Sequence, residues 1–226
     1  MCLSPAYSSV VSTQPTPPAT PPAQPSLTER RKAATQLDIA RAAAELFAEH
    51  GPDGTTAEAI ATRAGVALRT FYRYFRSKQD AVAPLLSGGG DQWRARLAAA
   101  EPGAGVLTTL ERAVAEVLGA PDAEAAEQLD WTRGLLRAAE QDPALRAVWY
   151  RVNQESEERL IPVLGALAGE SADPLEVRLA AAAATAAIRT ALEEWARTEA
   201  PVRGPGSPAD LAARCLRELT GGMSLR

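Results

Sequence analysis

The chain is poor in the residues that most site chemistries need. It has two cysteines, Cys2 and Cys215, and one histidine, His50, in 226 residues. Two cysteines, one beside the N-terminus and one within a helical pattern, form neither a disulfide framework nor a zinc site. One histidine cannot gather a His-rich metal cluster, and no Gly-rich phosphate loop or spaced ligand set is present. Catalysis has no constellation to stand on, so the expectation is a non-enzyme without metal or cofactor. Long apolar runs are missing too: nothing approaches the roughly 18 residues of a membrane helix. The first 26 residues lack the basic start and continuous apolar core of a signal peptide. A cytoplasmic, reduced protein with no membrane partner is expected.

Strand formers are also scarce, with 14 Val and Ile together beyond Leu27. Alanine, the strongest helix former, supplies 48 residues, and this balance predicts an all-α fold. The 24 basic and 28 acidic side chains give a net charge of −4. That mild acidity speaks against nucleic acid only if the charge is evenly spread.

It is not. Residues 1–27 carry seven of the 17 prolines and no charge, the composition of a disordered tail. Residues 28–86 carry a net +2 and residues 87–226 a net −6. These three segments are taken as tail, head and body. Thr28 reads as the cap of a first helix, which Gly51-Pro52 should stop. Thr56 reads as the cap of a short helix over Ala57–Ala64, and Gly65 as a turn. A third helix runs from Ala67 to Phe75, and Ser77 caps a fourth. Gly88-Gly89-Gly90 predicts a break or strong kink. Helical patterns follow at about 91–100, 105–119, 122–140, 143–168, 173–198 and 207–220. Asp142-Pro143, Asp173-Pro174 and Ser207-Pro208 each set a capping residue before a first-turn proline. Pro162 should kink or split its helix.

Two short helices around a tight turn fit a helix-turn-helix. From Arg63 to Lys78 the chain holds Arg63, Arg69, Arg73, Arg76 and Lys78 and no acidic residue. Arg69, Arg73 and Arg76 are spaced to share one helical face. Phe71 and Phe75 point elsewhere and can pack, with Val66, against Ile60, Leu46 and Phe47. Arginines of this kind read guanine edges or bind phosphates, while the hydroxyls of Tyr72 and Tyr74 and the Lys78 ammonium fix register on the backbone. Arg30, Arg31 and Lys32 extend the basic end, as a phosphate or minor-groove contact or as a solvated helix start.

Three stretches carry a likeness to a known family. They are Ile39 to Gly51 (Ile-Ala-Arg-Ala-Ala-Ala-Glu-Leu-Phe-Ala-Glu-His-Gly), Thr55-Thr56 through Ile60-Ala61 to Ala64-Gly65-Val66, and Thr70-Phe71-Tyr72-Arg73-Tyr74-Phe75 followed by Ser77-Lys78. Together they resemble the DNA-binding domain of TetR-family transcriptional regulators. The resemblance implies that Thr56, Thr70, Tyr72, Tyr74 and Lys78 contact phosphates. It implies that Leu68, Arg69 and Arg73 face base edges; Leu68 touches a thymine methyl or packs inward. Ala67 stands where the family usually has a capping Ser, and Pro52 where it usually has an aromatic residue.

For residues 87–226 the resemblance implies a helical ligand-binding and dimerisation domain, hence a homodimer that binds a double-stranded DNA operator and a small-molecule effector. The body also resembles the C-terminal domains of actinobacterial members that bind acyl-CoA-like ligands, through Pro143-Ala144-Leu145-Arg146, Glu157-Glu158-Arg159-Leu160 and an Ala-rich helix ending in Glu194-Trp195. Trp131, Leu135, Trp149, Val152 and Ile188 are the pocket candidates, although aromatic residues at helical spacing also make ordinary core. Arg133, Arg137 and Arg189 bind an anionic ligand or pair with Glu. Ala181, Ala184, Ile188, Ala191 and Trp195 form one stripe, which with Leu211, Cys215 and Leu219 is the candidate dimer interface; burial within the monomer is the alternative. The expected function is a ligand-responsive repressor released from a palindromic operator. An activator or co-repressor-dependent regulator of the same fold, or a helical adaptor that does not bind DNA, are the rivals.

Overall fold

The computed structural model describes residues 26–101 and 105–223. Most of the tail expected to be disordered lies outside the described residues. Those described hold nine α-helices and one 3-10 turn, and no strand. None of the helices is long and apolar enough to cross a membrane.

The head comprises α1 (Leu27–Gly54), α2 (Ala57–Arg63) and α3 (Leu68–Tyr74). Ser26, rather than Thr28, caps α1. Its hydroxyl accepts from the Glu29 amide at 3.2 Å, and the Glu29 carboxylate accepts from the Ser26 amide at 2.7 Å. This reciprocal pair outcompetes Thr28 because it satisfies two orphan donors at once. Gly51, at φ +70°, breaks the helix, and Pro52–Gly54 add one further turn. Thr56 caps α2 as expected, accepting from the Ala59 amide at 3.1 Å. The buried Thr55 hydroxyl lies 3.0 and 2.9 Å from the carbonyls of Leu46 and Gly51 and ties this cap to the end of α1. Gly65 makes the turn into α3 at φ +67°, a conformation in which a β-carbon is strained.

A 3-10 turn (Asp80–Val82), opened by the Ser77 hydroxyl accepting from the Asp80 amide at 3.1 Å, leads into α4 (Ala83–Ala98). Gly88-Gly89-Gly90 lies inside α4 and breaks nothing. A β-carbon at Gly88 would come within 2.5 Å of Gln128 Nε2, and one at Gly90 within 3.0 Å of Ser156 Oγ. Close packing against neighbouring helices thus overrides the weak helix propensity of glycine. The boundary drawn at residue 86 consequently falls in the middle of a helix.

The body continues with α5 (Val106–Leu118), α6 (Ala123–Ala139), α7 (Pro143–Ala168), α8 (Pro174–Ala196) and α9 (Pro208–Thr220). Asp142, Asp173 and Ser207 cap α7, α8 and α9 ahead of their prolines as the spacing predicts. Pro162 does not split α7. The Ala-rich α8 packs along α9 and α7, and α4 lies between α7 and α5. Small side chains permit that close approach. The stripe Ala181, Ala184, Ala191 and Trp195 faces inward, with Trp195 completely buried. It is monomer core, which overturns those four as interface residues.

Arginines close several helix ends. Arg146 donates to the carbonyls of Ala139 and Glu140 at the end of α6. Arg137 donates to those of Ala196 and Thr198 at the end of α8 and also pairs with Glu199. Arg133 stacks over the Trp195 ring at 3.7 Å and donates to the Ala200 carbonyl, while burial and the charge of Arg137 hold its pKa below the usual arginine range. Arg189 pairs with Glu193 at 3.1 Å. All three candidate anion-binding arginines are therefore spent on structure.

Candidate DNA-binding surface and ligand cavity

The recognition helix is fixed from one side and open on the other. Phe71 is fully buried and Phe75 nearly so, their rings 5.8 Å apart, over Ile60, Leu46 and Phe47. With the phenylalanines inward, Arg69, Tyr72 and Arg73 stand in solvent, Tyr72 being 54% exposed. Thr70 is half-buried, and Leu68 and Tyr74 pack partly against the core. Arg73 lies over the Tyr74 ring at 4.8 Å and donates to its hydroxyl at 3.2 Å, which orients both along one edge of α3. Arg76 does not share the arginine face, because α3 ends at Tyr74 and Phe75 is already extended.

Two of the five basic residues in this stretch have other work. Arg63 makes a double ion pair with Glu45 and Glu49 of α1, at 3.1 and 2.9 Å. The hydrogen bonds to these carboxylates bind its proton more firmly and hold Glu49 below the usual carboxylate range. Lys78 donates from Nζ to the carbonyls of Pro52 at 2.7 Å and Thr55 at 2.9 Å, bracing the joint between α1 and α2. An ammonium has three donors, so one remains beyond these two contacts. The start of α1 adds to the surface instead: Thr28, Arg31, Lys32 and Thr35 form one cleft with Arg73 and Tyr74 of α3.

The body holds a cavity of about 90 Å3 between α4, α5, α6, α7 and α8. Of the pocket candidates, Trp149, Val152 and Ile188 line it. Trp131 and Leu135 do not. They sit on the opposite face of α6, around a shallow recess against Ala44, Phe47 and Ala48 of α1. Leu129, two positions before Trp131, and Thr132, three before Leu135, turn toward the cavity instead. The remaining wall comes from residues without an aromatic flag in the sequence, Gly89 and Gly90 among them, and from Trp93. Among the described lining residues none is charged. Trp149 Nε1 donates to Glu193 at 2.8 Å, so only its ring serves the cavity.

Each of three cavity helices also holds the head. The N-terminus of α4 follows directly from Asp80–Val82, and the outer face of α6 supports α1. At the start of α7 the Asp142 carboxylate accepts from Gln79 at 2.9 Å, and Arg151 pairs with Asp80 at 2.6 Å. Burial pushes the Asp142 carboxyl up, but hydrogen bonds from Gln79 and the amides of Leu145 and Ala144, with Lys78 nearby, hold it below its ordinary range.

Two family models match parts of the chain. The family model for bacterial regulatory proteins of the tetR family matches residues 39–83, and that for the MftR C-terminal domain matches residues 104–224. The HTH-type transcriptional regulator TcmR of Streptomyces glaucescens is 30% identical over 177 residues, 77% of this chain and 78% of that protein. Among solved structures, FadR of Bacillus subtilis in complex with stearoyl-CoA matches with a TM-score of 0.53 at 22% identity, over 83% of this chain and 98% of that one. A transcriptional regulator from Rhodococcus sp. Rha1 matches with a TM-score of 0.51 at 20% identity, over 84% and 98%. At such identities the likeness shows the fold.

Proposed function

The chain belongs to the TetR family of bacterial regulatory proteins, whose members are ligand-responsive DNA-binding repressors, and on that premise we propose which of its surfaces do this work. Arg69 and Arg73 read base edges in the major groove. Tyr72, Thr56, Thr70 and Tyr74 hold phosphates, joined by Arg31 and Lys32 and by the one free donor of Lys78. The observation that carries this reading is the two-sidedness of α3, with Phe71 and Phe75 locked inward and the Arg and Tyr side chains in water. Leu68 packs more than it reads, being half-buried against the core.

A homodimer follows from the operator geometry, since two recognition helices about 34–36 Å apart meet two successive half-sites. The face that joins the copies is the outer side of α8 and α9. There Leu175, Leu179 and Leu219 are 61%, 49% and 48% exposed, with Leu211 and Cys215 half-buried beside them. Sedimentation of a Leu179→Glu/Leu219→Glu variant is expected to show a monomer; a variant still dimeric moves the interface elsewhere.

The effector occupies the cavity in the body. Its binding shifts the relative positions of α4, α6 and α7, which carry the head, toward a spacing that no longer fits the operator. A ligand can do so only through its different affinity for the two arrangements. FadR of Bacillus subtilis was solved with stearoyl-CoA, and here the apolar lining supports an effector that is at least in part apolar. No catalytic step is involved, and the protein acts in the cytoplasm on DNA. Selection of DNA from a random pool by the whole chain is the test. A palindrome bound far more tightly than bulk DNA is expected. Weak, sequence-indifferent binding that fades with salt would instead make the chain an adaptor or a non-specific binder.

A further inference from the structure

We propose that Gly89 of α4 sets the size of effector that the cavity admits, its bare backbone being the seat of that molecule's bulkiest apolar group. The proposal rests on the reading of the cavity as effector site and names the residue that keeps the site open.

Two observations carry it. The first is where this glycine stands. Leu85 and Leu86 lie four and three residues before it and Trp93 four after it, spacings that share one helical face. All three are buried. Gly89 is thus in the middle of the stripe that α4 turns to the body, at a place where a large apolar side chain is due. The second is that nothing takes that side chain's room. A β-carbon at Gly89 would meet no atom within 4 Å, and the same glycine lines the cavity together with Leu85, Leu86 and Trp93. The missing side chain is matched by free space and not by a neighbour.

The two flanking glycines show why the gap persists. A β-carbon at Gly88 would come within 2.5 Å of Gln128 Nε2 on α6, and one at Gly90 within 3.0 Å of Ser156 Oγ on α7. Those two glycines bring α4 into contact with both helices, and α4 cannot then move further inward to fill the space at Gly89. Neither reason applies to Gly89 itself. Its backbone is ordinary α-helix with no positive φ, so no turn requires a glycine, and no neighbour excludes a side chain. Glycine is nonetheless the poorest helix former after proline. A helix interior keeps one where packing or function asks for it, as where a ligand must come close to the backbone. Here that ligand is the molecule in the cavity, lying between α4 and the walls supplied by Val152 of α7 and Ile188 of α8.

Benzene is the probe, an uncharged ring that apolar cavities of this order hold, titrated calorimetrically into the full chain. Wild type is expected to bind it at millimolar concentration. Gly89→Ala is expected to weaken that binding about fourfold, the burial of one methylene, and Gly89→Leu by more than about tenfold. Gly89→Ala is also expected to melt no lower than wild type, so that its weaker binding does not come from a damaged fold. Gly134→Ala adds the same methyl group to α6 outside the cavity and is expected to leave benzene binding unchanged. Binding as tight in Gly89→Ala as in wild type overturns the proposal. Equal weakening by Gly89→Ala and Gly134→Ala overturns it too, because helix flexibility and not space then governs binding. Should Gly89→Leu fail to fold, the two alanine variants decide. Ile188→Phe, which narrows the cavity from α8, separates the two levels. If it weakens binding while Gly89→Ala does not, the site stands and only the role of Gly89 fails. If neither variant changes binding, or wild type binds no benzene, the cavity is not the effector site and the underlying reading fails as well.

Discussion

The head and the body meet their ligands through opposite physics. In α3, Arg69, Tyr72 and Arg73 stand in water, held there by two buried phenylalanines. In the body, the side chains around the cavity are uncharged and drawn from five helices. Binding by the first surface is Coulombic and gives way to salt. Burial of apolar surface, as the second offers, is largely indifferent to salt. The basic surface and the uncharged cavity therefore suit different kinds of ligand. The helices α4, α6 and α7 line the cavity and also touch the head.

Core truncations test this division most severely. Phe71→Ala is expected to cost about 3–5 kcal/mol and to abolish operator binding while the body stays folded. Trp195→Ala, which also removes the ring under Arg133, should destabilise the body by a similar amount, read by chemical denaturation. Unfolding of head and body together in both variants would show them to be one cooperative unit.

Surface changes in the head should be smaller and differ in kind. Arg69→Ala is expected to weaken operator binding by about 1–3 kcal/mol and to relax preference at one base position. Lys32→Ala should weaken binding to every sequence and lower the slope of log affinity against log salt by about 1. Gel shifts over a salt series check both; a sequence-selective effect of Lys32→Ala would take α1 off the phosphate backbone.

The joint between the regions gives the next effect. Asp142 caps α7 and accepts from Gln79, so Asp142→Ala is expected to cost about 1 kcal/mol. Because the folded carboxyl titrates below its ordinary range, its contribution is present above the unfolded value of about 4 and is lost as pH falls through the folded value. Thermal unfolding of wild type and variant should differ at neutral pH and converge in strong acid. A difference that grew on acidification would contradict the assignment. Smallest of all, Gly89→Ala should stabilise α4 by about 0.4–1 kcal/mol, since its β-carbon meets nothing within 4 Å. A melting temperature that falls instead would mean that the helix needs its flexibility.

The head was readable because its determinants lie close together in the chain. Phe71 and Phe75 alternate with Arg69 and Arg73 on one short helix, and Thr56 caps the helix it immediately precedes. What escaped there depended on distant partners: Arg63 meets acids 14 and 18 residues away, and Lys78 meets carbonyls 23 and 26 away. In the body, helix boundaries and caps followed the Asp-Pro and Ser-Pro signals, but the faces did not. On α6, Trp131 and Leu135 looked as suitable for a cavity as Leu129 and Thr132. Only the position of α1 sends the first pair to the head. On α8, alanine occupies both sides, and periodicity has no contrast with which to tell core from interface.

Composition and local spacing thus determined by themselves that this chain is helical, where most of its helices begin, and that α3 presents arginines over a phenylalanine anchor. Each of those depends on interactions within a turn or two of the helix. Tertiary packing alone decided that three glycines continue a helix, that Trp195 is core, and that Leu175 and Leu179 look outward. It also left Trp93 Nε1 and Thr185 Oγ1 buried without a hydrogen-bond partner among the described residues. Those outcomes depend on which helix lies against which, and a chain with apolar residues on every side of its helices carries no local record of that choice.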